Sequence, residues 1–143
     1  MQDKPRVLVV EDDEASRYAV AKSLETAGYR VLSFADHNGA LDAIDAGGPA
    51  DVLVTDIVMP GHANGFALAR MAKLRRPTLN VLYITAYYQD LPVAELQAAL
   101  GPILPKPFSP EGLVSAVEAS LAGVRGVVLR PPKHDDMRPE EAC

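Results

Sequence analysis

A recurring pattern constrains this chain more than any bulk property: short apolar runs that each end on a polar residue. Val7-Leu8-Val9-Val10 leads into Glu11-Asp12-Asp13, and Val52-Leu53-Val54 leads into Thr55-Asp56. Val81-Leu82-Tyr83-Ile84 ends in Thr85-Ala86, and a shorter segment ends in Lys106-Pro107-Phe108. Runs without polar alternation suit strands buried on both faces, as in a parallel sheet. Parallel strands present their carboxyl ends at one edge of the sheet. That edge would then collect clustered carboxylates, a hydroxyl and an amine.

The intervening segments read as helices. Residues 14–27 have helical spacing, with Tyr18, Ala21, Leu24 and Ala27 on one stripe and Gly28 as the stop. Helices are expected over 38–46, 65–74 and 92–100, the last with Pro92 in its first turn. A final helix starts at Ser109-Pro110, a hydroxyl N-cap followed by proline, and runs to about 122. Strands are expected over 6–10, 29–34, 51–55, 80–84 and 101–105. Strict alternation of strand and helix calls for right-handed crossovers and a sheet covered on both faces. The expected fold is α/β: a doubly wound, five-stranded parallel sheet in the order 2-1-3-4-5, flavodoxin-like. Pro102 and Pro105 cannot donate to a ladder, which places the fifth strand at an edge. In such sheets the ligand crevice lies at the strands' carboxyl ends, beside the switch point between strands 1 and 3. Glu11, Asp12 and Asp56 sit there.

The 143 residues suffice for one domain with a proper core. A net charge of −5 argues against a domain held to nucleic acid by bulk charge. The single cysteine, Cys143, forms no internal disulfide, which fits a reducing, cytoplasmic setting. No apolar run reaches the ~18 residues that span a membrane, and 1–5 lack the apolar core of a signal peptide. From 124 onward the chain is expected to be a polar, proline-rich, mobile tail, although Val127-Val128-Leu129 could pack on the domain or on a partner. His37, His62 and His134 are scattered and read as surface residues.

Three carboxylates held together stay ionised only if a cation joins them or a proton is shared. Ligation by a few oxygens suits Mg²⁺, which keeps several waters and accepts a phosphate oxygen. A carboxylate can also act as a nucleophile and become an aspartyl phosphate. Transfer of that kind needs charge neutralisation and positioning more than acid–base work. Lys106 offers the charge and Thr85 the hydroxyl. Singly, each has an ordinary reading: Asp56 a strand-end cap, Thr85 a turn hydroxyl, Lys106 a solvated lysine. Asp13 and Glu14 fit a helix N-terminus favoured by its dipole.

In order along the chain, Val9-Val10-Glu11-Asp12, Asp56-Ile57-Val58-Met59-Pro60, Gly65, Thr85-Ala86 and Lys106-Pro107-Phe108 resemble a response-regulator receiver domain of the chemotaxis, CheY-like type. The resemblance covers 5–123 and implies a phosphoacceptor signalling module rather than an enzyme. It makes Asp56 the acceptor of a phosphoryl group from a phosphohistidine donor, with Thr85 and Lys106 contacting that group. Mg²⁺ is implied on Asp12, Asp56 and the Val58 carbonyl, with Glu11 acting through water. The Lys106-Pro107 bond is implied to be cis. The implied partners are a sensor histidine kinase or histidine phosphotransfer protein, docking near Ala15, Ser16 and Ala19, and an unknown output protein. Output is expected through the face of the fourth helix, fifth strand and fifth helix, around Leu91, Val93, Leu96, Ile103 and Val114. Neither direct DNA binding nor a membrane is implied, and a homodimer is left open. Too few residues follow the last helix for an output domain, so the chain reads as a stand-alone receiver.

Departures from the family pattern bear on the events after phosphorylation. The loop 59–65 is one residue longer than the common form and resembles loops of receivers attached to hybrid sensor kinases. The position three before the lysine, usually aromatic in the family, is Ile103, which has no ring to swing inward. The expectation is that 87–91 and the fourth helix carry the change. Val58 and Tyr87 stand where water access is set and do not orient water, so slow autodephosphorylation is expected. Three rival readings are a phosphate sink in a relay, a pseudo-receiver that is never phosphorylated, and an aspartate-based hydrolase. The intact acid, Thr and Lys set opposes the pseudo-receiver, and the missing acid at Val58 opposes the hydrolase.

Overall fold

The computed structural model of the chain describes residues 4–58 and 64–129. Five strands alternate with five α-helices: β1 Arg6–Val10, α1 Glu14–Thr26, β2 Arg30–Phe34, α2 His37–Asp45, β3 Val52–Asp56, α3 Gly65–Arg75, β4 Asn80–Thr85, α4 Val93–Gln97, β5 Ile103–Pro105 and α5 Pro110–Leu121. The strands form one parallel sheet in the order β2-β1-β3-β4-β5, the doubly wound arrangement expected from the apolar runs.

Period-two geometry sorts the buried strand residues between the two faces. Val7, Val9, Val52, Val54, Leu82, Ile84 and Leu104 pack under α1 and α5, against Val20, Leu24, Leu113 and Val117. Leu8, Val10 and Leu53 point the other way, against Leu41 and Ile44 of α2 and Leu68 and Ala72 of α3. A third cluster joins Ile57, Phe66, Val81, Tyr83, Ala99 and Ile103 beneath α4. Each such side chain contributes about 1.5–3 kcal/mol on burial. Four of the helices begin where polar caps place them: Asp13, Asp36, Asn64 and Ser109 accept from the backbone N–H of Ser16, Gly39, Ala67 and Gly112.

Several expectations need correction. On α1 the buried residues are Val20 and Leu24, while Tyr18 is 68% exposed; the core-facing stripe is rotated from the one expected. The fourth helix is five residues long rather than nine, ending at Gln97, and 88–90 form a separate 3₁₀ turn ahead of Pro92. The fifth strand shrinks to Ile103–Pro105, since Gly101 packs so tightly on Val81 that a Cβ would collide with its carbonyl. That strand is last in the sheet order, yet its outer side is not bare. Residues 126–129 run beside it, and Ile103 and Val128 form a parallel bridge. The first residues past the expected domain boundary are therefore held against the domain. The loop 59–63, with His62, and the stretch 130–143, with His134 and Cys143, lie outside the described residues.

Candidate functional site

β1, β3 and β4 are neighbours whose carboxyl ends are aligned by register: Val10 lies opposite Thr55, and Asp56 opposite Ile84. Glu11 follows β1 directly, Asp56 ends β3, Thr85 ends β4, and Lys106 follows β5. All four converge from separate parts of the chain. The Lys106 ammonium sits 2.8 Å from Asp56 Oδ2 and 2.8 Å from Glu11 Oε1. Glu11 and Asp56 are buried, at 1% and 7% exposure, whereas Asp12 is exposed. Carboxylate oxygens of Glu11, Asp12 and Asp56 all lie within 4.8 Å of one another.

Backbone groups hold these carboxylates in place. Val58 N–H donates to Asp56 Oδ1 at 3.2 Å, and Asp13 N–H donates to Glu11 Oε2 at 3.1 Å. Thr85 Oγ1 accepts from Tyr87 N–H at 3.0 Å, so its own proton remains available for donation. Lys106 N–H donates to the Thr85 carbonyl at 2.8 Å, tying the two site strands together. The Lys106-Pro107 peptide is cis.

The electrostatics follow from burial against pairing. Burial pushes the Glu11 carboxyl up from its ordinary value, opposed by its hydrogen bonds from Lys106 and Asp13, while the Asp56 charge adds to the rise. For Lys106, burial pulls the ammonium down, but hydrogen bonds and charges from Asp56 and Glu11 outweigh it and leave the pKa raised. Three carboxylates against one ammonium leave two negative charges in excess. A divalent cation would balance them. The donors are all hard oxygens, which fit Mg²⁺ rather than a thiolate- or imidazole-seeking metal.

The six residues singled out from the sequence divide cleanly. Glu11, Asp12, Asp56 and Lys106 are brought together. Thr85 joins them as the buried end of the strand adjoining β3. Val58 adjoins Asp56 through its N–H, and its side chain is 46% exposed. Three contributors were not anticipated in their structural roles. Arg17 Nη1 donates to the Glu11 carbonyl at 2.9 Å, and Thr55 Oγ1 donates to the Asp56 carbonyl at 2.9 Å. Gly65 opens α3 against the end of β3, where any Cβ would collide with the Asp56 carbonyl oxygen. Gly65 is legible as part of the family resemblance, and Arg17 lies one helical turn past the N-cap Asp13, whereas Thr55 carries no signal of its contact.

Residues 7–118 match the family described as the response regulator receiver domain. The chain belongs to that family. A receiver is a phosphoacceptor signalling module of two-component systems, and the acidic pocket accords with that role. The chain is 36% identical over 115 residues to the DNA-binding transcriptional regulator NtrC of Klebsiella pneumoniae, covering 80% of this chain and 24% of that protein. The chain thus spans about a quarter of the length of that relative. The receiver domain of the hybrid histidine kinase CckA is similar in structure, with a TM-score of 0.66 and 32% identity over 81% of this chain and 98% of that one. The chemotaxis protein CheY4 of Vibrio cholerae superposes with a TM-score of 0.73 and 29% identity, covering 82% of this chain and 99% of that one. None of the described helices is long and apolar enough to cross a membrane.

Proposed function

We propose that Asp56 accepts a phosphoryl group from a phosphohistidine on a sensor kinase or a histidine phosphotransfer protein. The observation that carries this reading is the Lys106 ammonium held 2.8 Å from the Asp56 carboxylate within a cluster of three carboxylates. In the transfer a carboxylate oxygen of Asp56 forms a bond to phosphorus. The phosphorus–nitrogen bond breaks, and the imidazole leaves with its electron pair. Lys106 sits where it would neutralise charge on the phosphoryl oxygens, and the Thr85 hydroxyl can donate to one of them. Glu11, Asp12 and Asp56 would hold Mg²⁺, with the Val58 carbonyl as a further ligand; the ion would supply charge neutralisation at the phosphoryl oxygens.

A groove of about 370 Å³ beside Lys106 supports donor docking at α1, because Ser16, Ala19 and Ser23 line one side and Pro107 and Phe108 the other. Output passes by protein contact through α4, β5 and α5 in a cytoplasmic setting. Val93 is 66% exposed on that side, but Ile103 is fully buried and offers a partner nothing directly. The exposed, non-polar Val58 and the bulky Tyr87 beside the pocket orient no water, which supports a long-lived phosphoryl form with weak autophosphatase activity at most.

Incubation with acetyl phosphate and Mg²⁺, followed by intact mass measurement, tests the chemistry. The expected result is the addition of one phosphoryl group, absent in Asp56→Asn. Labelling that persists in Asp56→Asn, or no labelling of the wild type, overturns the assignment. Phosphotransfer profiling against purified kinases then identifies the donor.

A further inference from the structure

Asp12 is the member of the acidic cluster that is held least directly. It is exposed where Glu11 and Asp56 are buried, and among the described residues no group donates to its carboxylate. Glu11, by contrast, has a partner on every polar group. Its N–H donates to the Phe34 carbonyl at 3.1 Å, and its Oε1 accepts from Lys106 at 2.8 Å. Its Oε2 accepts from Asp13 N–H at 3.1 Å, and its carbonyl accepts from Arg17 Nη1 at 2.9 Å.

The last two bonds fall on either side of Asp12. The Glu11 carbonyl belongs to the peptide before Asp12, and the Asp13 N–H to the peptide after it. A peptide unit is planar, so a bond to its oxygen or its N–H restrains the whole plane. Asp12 therefore hangs between two restrained planes, with its own side chain left to turn toward an ion. One restraint comes from Glu11 itself. The other comes from α1, through the side chain of its fourth residue. Arg17 is well placed for this, because its own N–H bonds the Asp13 carbonyl at 2.8 Å and fixes the backbone from which the side chain reaches back.

Charge and position act on a bound cation with opposite signs here. A guanidinium beside the acids repels Mg²⁺, so by charge alone its removal would tighten binding. A side chain that aims a ligand does the reverse, since its removal lets the ligand wander. We propose that Arg17 is a positioning residue for the cation site: by holding the Glu11 carbonyl it aims Asp12, and its loss weakens Mg²⁺ binding even though a positive charge is removed. This rests on the reading of Glu11, Asp12 and Asp56 as a Mg²⁺ site.

The test uses the full chain as wild type, Arg17→Ala, Arg17→Lys and Lys22→Ala. Alanine suits a helix and Arg17 is only half-buried, so the first variant should fold, which its melting temperature verifies. Mg²⁺ is titrated while the backbone amides of Asp13 and Val58 are followed by nitrogen-15 NMR. Arg17→Ala should weaken Mg²⁺ binding roughly tenfold, the low end for outer partners of metal ligands. Arg17→Lys keeps the charge and one donor and should recover part of that loss. Lys22→Ala removes an exposed charge from the same helix and should change affinity by less than about twofold, because exposed charges are screened. A second arm needs no metal. In metal-free protein the Asp13 amide should exchange with solvent faster in Arg17→Ala than in wild type, while the Val54 amide in β3 is unchanged. A general loss of stability would move both. If the wild type binds no Mg²⁺, the metal reading falls, and the Asp13 amide still decides whether Arg17 holds this turn. Tighter or equal Mg²⁺ binding in Arg17→Ala, no recovery in Arg17→Lys, an equal loss in Lys22→Ala, or an Asp13 amide that exchanges as in wild type overturns the proposal.

Discussion

β3 and β5 both deliver a residue to the acidic pocket, yet they are held in opposite ways. β3 lies in the middle of the sheet, paired on both sides, and all five of its residues are buried. It presents Asp56 from a frame that cannot shift without disturbing two cores at once. β5 has three residues, one strand neighbour, and residues 126–129 hydrogen-bonded along its other side. It presents Lys106 from a short, buried strand at one end of the strand order. The contrast separates two tasks. Under the proposed chemistry the acceptor gains from rigid placement, and the short β5 is where a response to new charge would be sought. Phosphorylation would then shift an existing equilibrium rather than deform a rigid body.

The largest effect that would sharpen this contrast comes from the acceptor itself. Asp56→Asn should reduce labelling by acetyl phosphate to background while leaving the melting temperature near that of wild type. A second site labelled at a comparable rate would dissolve the distinction. Next comes packing. Leu53→Ala in β3, at 0% exposure, should cost about 2–5 kcal/mol in denaturant unfolding. Leu129→Ala beside β5 removes only a half-buried side chain and should cost about 1 kcal/mol. Equal losses would show that the two strands are equally anchored.

The third prediction concerns Tyr83, which pairs with Ile103 across the two strands. Its ring packs on Phe66 with centroids 4.9 Å apart, and its hydroxyl oxygen accepts from Leu100 N–H at 3.2 Å. Burial pushes its phenol up to about 12. A raised folded-state value means the fold favours the neutral phenol. That contribution is complete below the unfolded value near 10 and is lost as pH rises through 12. Unfolding free energy should therefore fall by roughly 2–3 kcal/mol across that window. Tyr83→Phe should flatten this part of the profile; an unchanged alkaline slope would show that the ring is wetter than its packing implies. The smallest effect concerns water. Val58→Asn introduces a polar side chain beside Asp56 and should speed loss of the phosphoryl group about three- to tenfold, roughly 1 kcal/mol in barrier. Slower loss would mean that Val58 does not limit hydrolysis.

Much of the sheet is legible because a parallel, doubly covered sheet writes itself as uninterrupted apolar runs. Val7 to Val10 and Val81 to Ile84 have almost no other reading. The prolines place the fifth strand at an edge, the order 2-1-3-4-5 fits the alternation of strands and helices, and the acidic cluster follows from that order. Parts governed by tertiary contact are less legible. The stripe on α1 is misplaced in sequence because Tyr18 is apolar enough to suggest burial, yet its position on the helix faces water. The fourth helix reads too long because helical spacing continues to Leu100. It ends earlier because Gly101 docks on Val81, a contact between segments distant in sequence. Backbone tethers such as Asp13 N–H to Glu11 Oε2 leave no compositional trace at all. The partner of 127–129 stays open in the sequence for the same reason: three apolar residues state a need for cover without naming it.

The link from Lys106 to Glu11 spans 95 residues, and the link to Asp56 spans 50. A chain emerging from the ribosome has its acids in place well before its ammonium. Until β5 docks, Glu11 and Asp56 lack their ammonium partner, so the pocket depends on pairing between segments far apart in sequence. Synthesis halted before residue 106 leaves an acidic stub without the lysine needed to steady a phosphoryl group.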